Sequence, residues 1–155
     1  FSSRKFLDEV TIPALSEGAM KSGRKDQPKL IPNAIICTYR SEEEYEKAIT
    51  GAKFNLAFYG STPAYKVTLD VHGWGEMQPV LNRLTKEGKW KEISSVIDDE
   101  VLHTLAVVGE PSEVGSQLVE RFDDVADRVG ISVPYEASTD LLAEVVDSVK
   151  TQTDK

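Results

Sequence analysis

The chain has 155 residues, of which 26 are acidic and 18 are lysine or arginine, so its net charge is −8. A negative chain repels phosphate groups, and we therefore expect neither nucleic acid nor an anionic membrane surface among its partners. No apolar run approaches the roughly 18 residues that span a membrane, and the single cysteine, Cys37, excludes an internal disulfide and favours a reducing, cytoplasmic compartment.

The amino-terminal segment has the pattern of a helix. Ser3 is a suitable N-cap, and apolar residues follow it at three- to four-residue spacing as far as Leu15. Pro13 is expected to kink this helix or divide it, because proline has no amide hydrogen to donate. Gly23 is expected to end it.

Two strands are predicted, over residues 30–39 and 127–135. The first is apolar on both faces and too short for a buried helix, and in the second Val129, Ile131 and Val133 alternate with other residues. Because helices separate the two strands, parallel pairing in an α/β fold follows. Two strands cannot cover each other on every side, so the sequence is interpreted as part of a larger α/β layer.

Several helices are predicted between and after the strands. A capping box at Ser41 and Glu44 begins the first of them, because a serine and a glutamate three residues apart satisfy free amides at a helix start. The predicted helices cover residues 42–59, 62–71, 77–86, 90–97, 99–106, 111–122 and 141–149.

One long run carries a family resemblance. Residues 54–76, FNLAFYGSTPAYKVTLDVHGWGE, resemble a stretch of the luciferase-like oxidoreductases, and more narrowly of the actinobacterial branch that uses the deazaflavin coenzyme F420. Residues 81–102 resemble the middle helices of that branch, residues 106–114 its glycine-proline helix start, and residues 6–24 the helix that precedes strand seven of its barrel.

The resemblance implies a fold and an activity. The fold is a (β/α)8 TIM barrel, normally of about 250 residues, in which residues 30–39 resemble strand seven and residues 127–135 strand eight. Residues 1–155 would then form one partial domain, the mostly helical C-terminal portion of the barrel. The parent enzyme would transfer a hydride between the deazaflavin, or alternatively FMN, and a small organic substrate. The chain by itself is expected to be inactive, because most of the cofactor site lies in the missing strands.

A second hypothesis comes from another functional class. The chain could be a non-catalytic, mostly helical binding or assembly module that pairs its strands with a partner. That partner would be a second copy, giving a homodimer, or a separately encoded barrel half.

Candidate site residues follow from the barrel, because its active site lies at the carboxyl ends of the strands. These ends carry Thr38, Tyr39 and Arg40 in one strand and Tyr135 in the other. Tyr135 could stack on a substrate or hydrogen-bond to it, and Arg40 could hold an anionic group. The alternative is a strand-end aromatic residue and a solvated arginine.

Three further candidates are a glycine and two residues that lie beside glycines. His72 and Trp74 fall in a helix break, where a histidine could donate a proton near neutral pH or the pair could form a structural turn. Gly109 and the amides after it could cradle a phosphate, although Glu110 opposes an anion there. Two histidines without a thiol partner indicate no metal site, and no motif identifies a catalytic residue.

Overall fold

Three parallel strands form one sheet in the computed structural model, which describes residues 1–26 and 28–153. The strands are β1 (Asn33–Thr38), β2 (Ala106–Gly109) and β3 (Gly130–Ser132), and they lie in the order β2-β1-β3. The parallel α/β arrangement predicted from the sequence is confirmed. The prediction of only two strands is wrong, because β2 is a third.

Helices make up most of the described chain, and none of them is both long and apolar enough to cross a membrane. A widened π turn over Leu7–Thr11 and 3₁₀ turns over Pro63–Tyr65 and Ile93–Val96 join some of them. The α-helices are α1 (Arg4–Phe6), α2 (Ile12–Lys21), α3 (Glu42–Gly60), α4 (Lys66–Val71), α5 (Met77–Lys86), α6 (Asp99–Leu105), α7 (Pro111–Phe122) and α8 (Thr139–Thr153).

The amino-terminal helical segment follows its sequence signals. The hydroxyl oxygen of Ser3 accepts a hydrogen bond from the amide of Phe6 at 3.1 Å, which confirms the predicted N-cap. The widened turn ends at Thr11, two residues before Pro13, and it divides the segment as expected because the ring nitrogen of Pro13 donates no hydrogen bond. Gly23, at a φ of 68°, ends the segment in the left-handed conformation that glycine tolerates.

Strand β1 is the centre of the molecule. Ile35 and Cys37 are buried in one apolar core with α3, α5 and α6, whereas Ala34 and Ile36 are buried in a second core with α7 and α8. The prediction of a strand covered on both faces is therefore confirmed. The inference that its neighbours must come from outside the chain is wrong, because β2 and β3 pair with its two edges.

Strand β2 is not predicted from the sequence because no turn separates it from the preceding helix. Its four residues follow α6 directly, so the sequence pattern predicts the end of one helix and the start of the next over this apolar run. Three other predicted elements are shorter than expected. The strand predicted over residues 30–39 covers only Asn33–Thr38. Residues 90–97 form only the 3₁₀ turn, and β3 covers three residues because Pro134 has no amide hydrogen for a longer ladder.

The order of the strands creates an opening. Strand β1 lies between β2 and β3, and this three-stranded parallel sheet is consistent with part of a (β/α)8 barrel but does not close one. The helix after β1 packs on one face of the sheet and the helix after β3 on the other. Ligands of α/β proteins bind where neighbouring connections diverge in this way, at the carboxyl ends of the strands.

Candidate functional site

A crevice of about 260 Å³ lies at this point, between the carboxyl ends of β1 and β3. Its position follows from the sequence, since β1 stops where Ser41 caps α3 and its hydroxyl accepts a hydrogen bond from the Glu44 amide. Loop and helix residues close the crevice on the other side. The lining residues are Thr38, Glu44, Lys47, Tyr135, Glu136, Ala137, Ser138 and Leu141.

Tyr135 is bound to the end of β1 through its hydroxyl group. The oxygen accepts a hydrogen bond from the Thr38 amide at 2.8 Å, and the hydroxyl donates to the Thr38 carbonyl at 3.3 Å. Strand β3 ends at Ser132, which pairs with Ile35, so the tyrosine hydroxyl takes the place of a missing strand residue opposite Thr38. Burial raises the pKa of Tyr135 to about 12, and the group therefore keeps the proton that it donates.

Gly51 makes room for this tyrosine. It lies inside α3, and a Cβ at this position would be 2.5 Å from the carbonyl oxygen of Pro134 and 2.9 Å from the Cβ of Tyr135. Sequence reasoning missed Gly51. The available signal was its position inside a helix, where glycine costs about 1 kcal/mol relative to alanine and needs a packing reason.

Thr38 forms the floor of the crevice and is fully buried. Its side chain is on the sheet face of Ala34 and Ile36, toward α7 and α8, as the alternation of a strand requires. Its hydroxyl oxygen has no hydrogen-bond partner among the described residues. A buried hydroxyl left unpaired costs about 1–3 kcal/mol.

Tyr39 and Arg40 lie at the same edge as the crevice. The ring of Tyr39 packs edge-on against Tyr45, with 4.9 Å between ring centroids. The guanidinium of Arg40 forms an ion pair with Glu144 of α8, and its amide donates to the Glu44 carboxylate at 2.7 Å. An anionic ligand would therefore compete with a carboxylate of the chain for Arg40.

His72 and Trp74 lie at the opposite end of the sheet. Their rings stack with 4.6 Å between centroids, and the hydroxyl oxygen of Ser3 lies 2.7 Å from the Nε2 atom of His72. Arg4, next to Ser3, forms an ion pair with Asp124. Helix α7 begins at the carboxyl end of β2 and ends just before Asp124, so Asp124 lies near the amino ends of the strands. This placement, remote from the crevice, favours a structural turn over a role at the site.

Acidification is expected to destabilise the fold through His72. Burial lowers the pKa of its imidazole, and the positive charge of Lys5 adds to this effect. The unfolded chain, with an ordinary histidine pKa of about 6.5, then binds the proton more readily than the native state. The contribution of His72 to the free energy of unfolding is therefore complete above about pH 6.5 and decreases as the pH falls below it.

The measurement is urea unfolding followed by tryptophan fluorescence between about pH 7.5 and pH 5.5. His72→Gln, which is neutral throughout, should show a flatter dependence than the wild type. Paired carboxylates such as Asp124 have a lowered pKa and titrate below this window. An equal slope in both proteins would contradict the assignment to His72.

Gly109 ends β2 but leaves no open cradle. A Cβ there would lie 2.8 Å from a carboxylate oxygen of Glu113, and the same oxygen accepts a hydrogen bond from the Glu110 amide at 2.9 Å. The first amide of the α7 start is thus already satisfied by a carboxylate of the chain. This arrangement opposes a phosphate at Gly109. Within the described ranges, no group of three or more His, Cys, Asp or Glu side chains could hold a metal ion.

The sequence is similar to those of known proteins. The model of one family, described as luciferase-like monooxygenase, matches residues 8–128. Proteins of Mycobacterium tuberculosis and Mycobacterium bovis, both described as uncharacterised, are 40% identical to the chain over 128 residues. The match covers 82% of this chain and 38% of each relative, so the chain spans well under half the length of these relatives. The family match ends before β3 and Tyr135.

Proposed function

Because the chain belongs to the luciferase-like monooxygenase family, we propose that it is a segment of an oxidoreductase that acts on a small organic substrate. The crevice between β1 and β3 would form one wall of the substrate site. The observation that carries this proposal is the position of the crevice, at the carboxyl ends of parallel strands where their connections diverge. Tyr135, Tyr39 and Arg40 lie at that edge, whereas His72 and Trp74 do not.

We propose the deazaflavin coenzyme F420 as the cofactor of the parent enzyme, with FMN as the alternative. Both carry a phosphate group, and the described residues do not fit such a group by themselves. Glu113 occupies the start of α7, and the cations near the crevice are engaged, Lys47 by Glu43 and Arg40 by Glu144. The crevice of about 260 Å³ is also smaller than the roughly 300–1,000 Å³ of most ligand sites.

The cofactor would therefore be held mainly by residues outside these 155. The relatives support this division, since the matched region is only 38% of their length. In the parent protein the present chain would contribute the substrate side, orienting the substrate and excluding water from it. We accordingly expect the isolated chain not to turn over.

Fluorescence titration with F420 and with FMN tests this proposal. The 155-residue chain should show no saturable binding at low micromolar concentrations, whereas the full-length mycobacterial relative should bind one of the two. The compound that the relative binds identifies the cofactor, F420 or FMN. Binding and reduction of either by the isolated chain would refute the division of roles, and binding of neither by the relative would refute the oxidoreductase assignment.

A second candidate, the assembly module, is favoured by one surface. A groove of about 420 Å³ with a mainly apolar lining lies between α7, α8 and β3. At its margin Ile131 and Val146 are 37% and 40% exposed, and no described strand pairs with the outer edge of β3. Light scattering on the isolated chain distinguishes the candidates. A dimer that Val146→Lys converts to a monomer would support assembly through this groove.

A further inference from the structure

The outer face of α3 changes character along the length of the helix. From Glu43 onward the exposed side chains recur at three- to four-residue spacing, so they share one face. In chain order they are Glu43, Glu46, Lys47, Thr50, Phe54 and Phe58. The face is polar and mainly acidic where the helix begins and aromatic where it ends. The opposite face of α3 is buried against β1, so the outer face is the part of this helix that a partner can reach.

Three aromatic side chains form a patch on the second half of this face. Phe54 and Phe58 are about one helical turn apart, and Trp90, in the loop after α5, packs against Phe54 with 6.5 Å between ring centroids. The side chains of Phe54, Phe58 and Trp90 are 41%, 46% and 45% exposed. Clustered aromatic residues on a surface are typical of protein–protein interfaces, in which tryptophan often contributes much of the binding energy.

The charges beside this aromatic patch are opposite to those at the start of α3. Residues 86–91, KEGKWK, contain three lysines and one glutamate, although the whole chain has a net charge of −8. In the part of the chain that the structure describes, only Lys89 of these lysines has an ion-pair partner, Glu87. The first turn of α3 contains three glutamates, of which Glu43 pairs with Lys47. The two halves of one exposed surface therefore carry complementary charges.

We propose that two copies of the chain associate through the outer face of α3, with the two helices antiparallel. A two-fold axis across the helix brings the acidic start of each α3 toward the lysine-flanked aromatic patch of the other, so each contact is made twice. A parallel arrangement would place like charges together, which is unfavourable. This interface is separate from the groove beside β3 and does not depend on the proposed oxidoreductase activity.

The size of the face predicts a weak dimer. Helix α3 has 19 residues, so it is about 28 Å long and about 10 Å wide. Its footprint is well below the roughly 800 Å² that each partner buries in a standard stable interface. We therefore expect a dissociation constant of about 10–100 µM. Added salt should raise it, because ions screen the attraction between the glutamates and the lysines.

Sedimentation velocity of the 155-residue chain between about 5 and 500 µM measures the association. The wild type should change from monomer to dimer over this range, and raising NaCl from about 0.05 to 0.5 M should weaken the dimer about fivefold. Phe54→Lys should weaken it about tenfold, because a cation would replace a ring at the centre of the contact. Lys91→Glu, at an exposed loop position, should weaken it about fivefold.

Val146→Lys is the matched control, because Val146 is also helical and 40% exposed but lies at the groove beside β3. It should leave the association unchanged, and urea unfolding shows whether each variant is folded. The inference is overturned if the wild type stays monomeric at about 500 µM, if salt has no effect, or if folded Phe54→Lys or Lys91→Glu dimerises like the wild type. A dimer that Val146→Lys disrupts would place the interface at the groove and would also overturn it.

Discussion

Replacing Tyr135 by phenylalanine is expected to lower the free energy of unfolding by about 2 kcal/mol. The substitution removes one oxygen atom but leaves two backbone groups of Thr38, its amide and its carbonyl, without the partner that the structure gives them. Each loses a hydrogen bond worth about 1 kcal/mol, and the loss is larger where water does not replace it. Urea unfolding of both proteins measures the difference, and hydrogen exchange at the Thr38 amide should be faster in the variant.

Tyr65→Phe is a suitable control for the loss of a tyrosine hydroxyl. Its side chain is 40% exposed, and its hydroxyl makes no hydrogen bond to the described residues. The free energy of unfolding of this variant should stay within about 0.5 kcal/mol of that of the wild type. If Tyr135→Phe cost no more than the control, the hydroxyl would not be replacing a strand residue at the end of β1.

Replacing Gly51 by alanine is expected to lower the free energy of unfolding by about 1–3 kcal/mol. Alanine favours a helix over glycine by about 1 kcal/mol, so propensity alone predicts the opposite sign. The new Cβ would lie 2.5 Å from the Pro134 carbonyl oxygen, and that atom belongs to backbone that cannot rotate away. We therefore expect the Tyr135 loop to be displaced. Urea unfolding measures the loss of stability, and faster hydrogen exchange at the Thr38 amide would show that the Tyr135 loop is displaced.

Gly18→Ala provides the opposite case in the same chain. Gly18 lies inside α2, and a Cβ there would meet no atom within 4 Å. This change should raise the free energy of unfolding by about 0.5–1 kcal/mol, because only helix propensity acts. Should Gly51→Ala stabilise the protein to the same extent, the close packing of the loop on α3 would be refuted.

Local signals in the sequence predicted the starts of elements well. Ser3 caps the helix that follows it, and the helices predicted to begin at residues 99 and 111 do so. Each of these signals depends on atoms a few residues apart. The capping box at Ser41 was predicted in part, since the Glu44 carboxylate accepts from the amide of Arg40 rather than from that of Ser41.

Contacts between residues that are far apart in the chain could not be predicted from the sequence. The rule that ligands bind at carboxyl ends of parallel strands brought Tyr135, Tyr39 and Arg40 to one edge, because strand direction alone decides it. It could not show that the Tyr135 hydroxyl binds Thr38, which is 97 residues away. It also could not identify Gly51, because the atoms that require a glycine there come from a loop after β3. The placement of His72 away from this edge likewise depends on how the helices pack.

The central position of β1 also has a consequence for how the chain folds. Its two neighbours, β2 and β3, begin only at Ala106 and Gly130, so each pairing closes a long loop before any ladder hydrogen bond forms. The entropy lost in closing such loops slows folding relative to contacts between adjacent elements. During synthesis the apolar strand would leave the ribosome long before either partner exists. We therefore expect β1 to be the segment that chaperones must shield in the nascent chain.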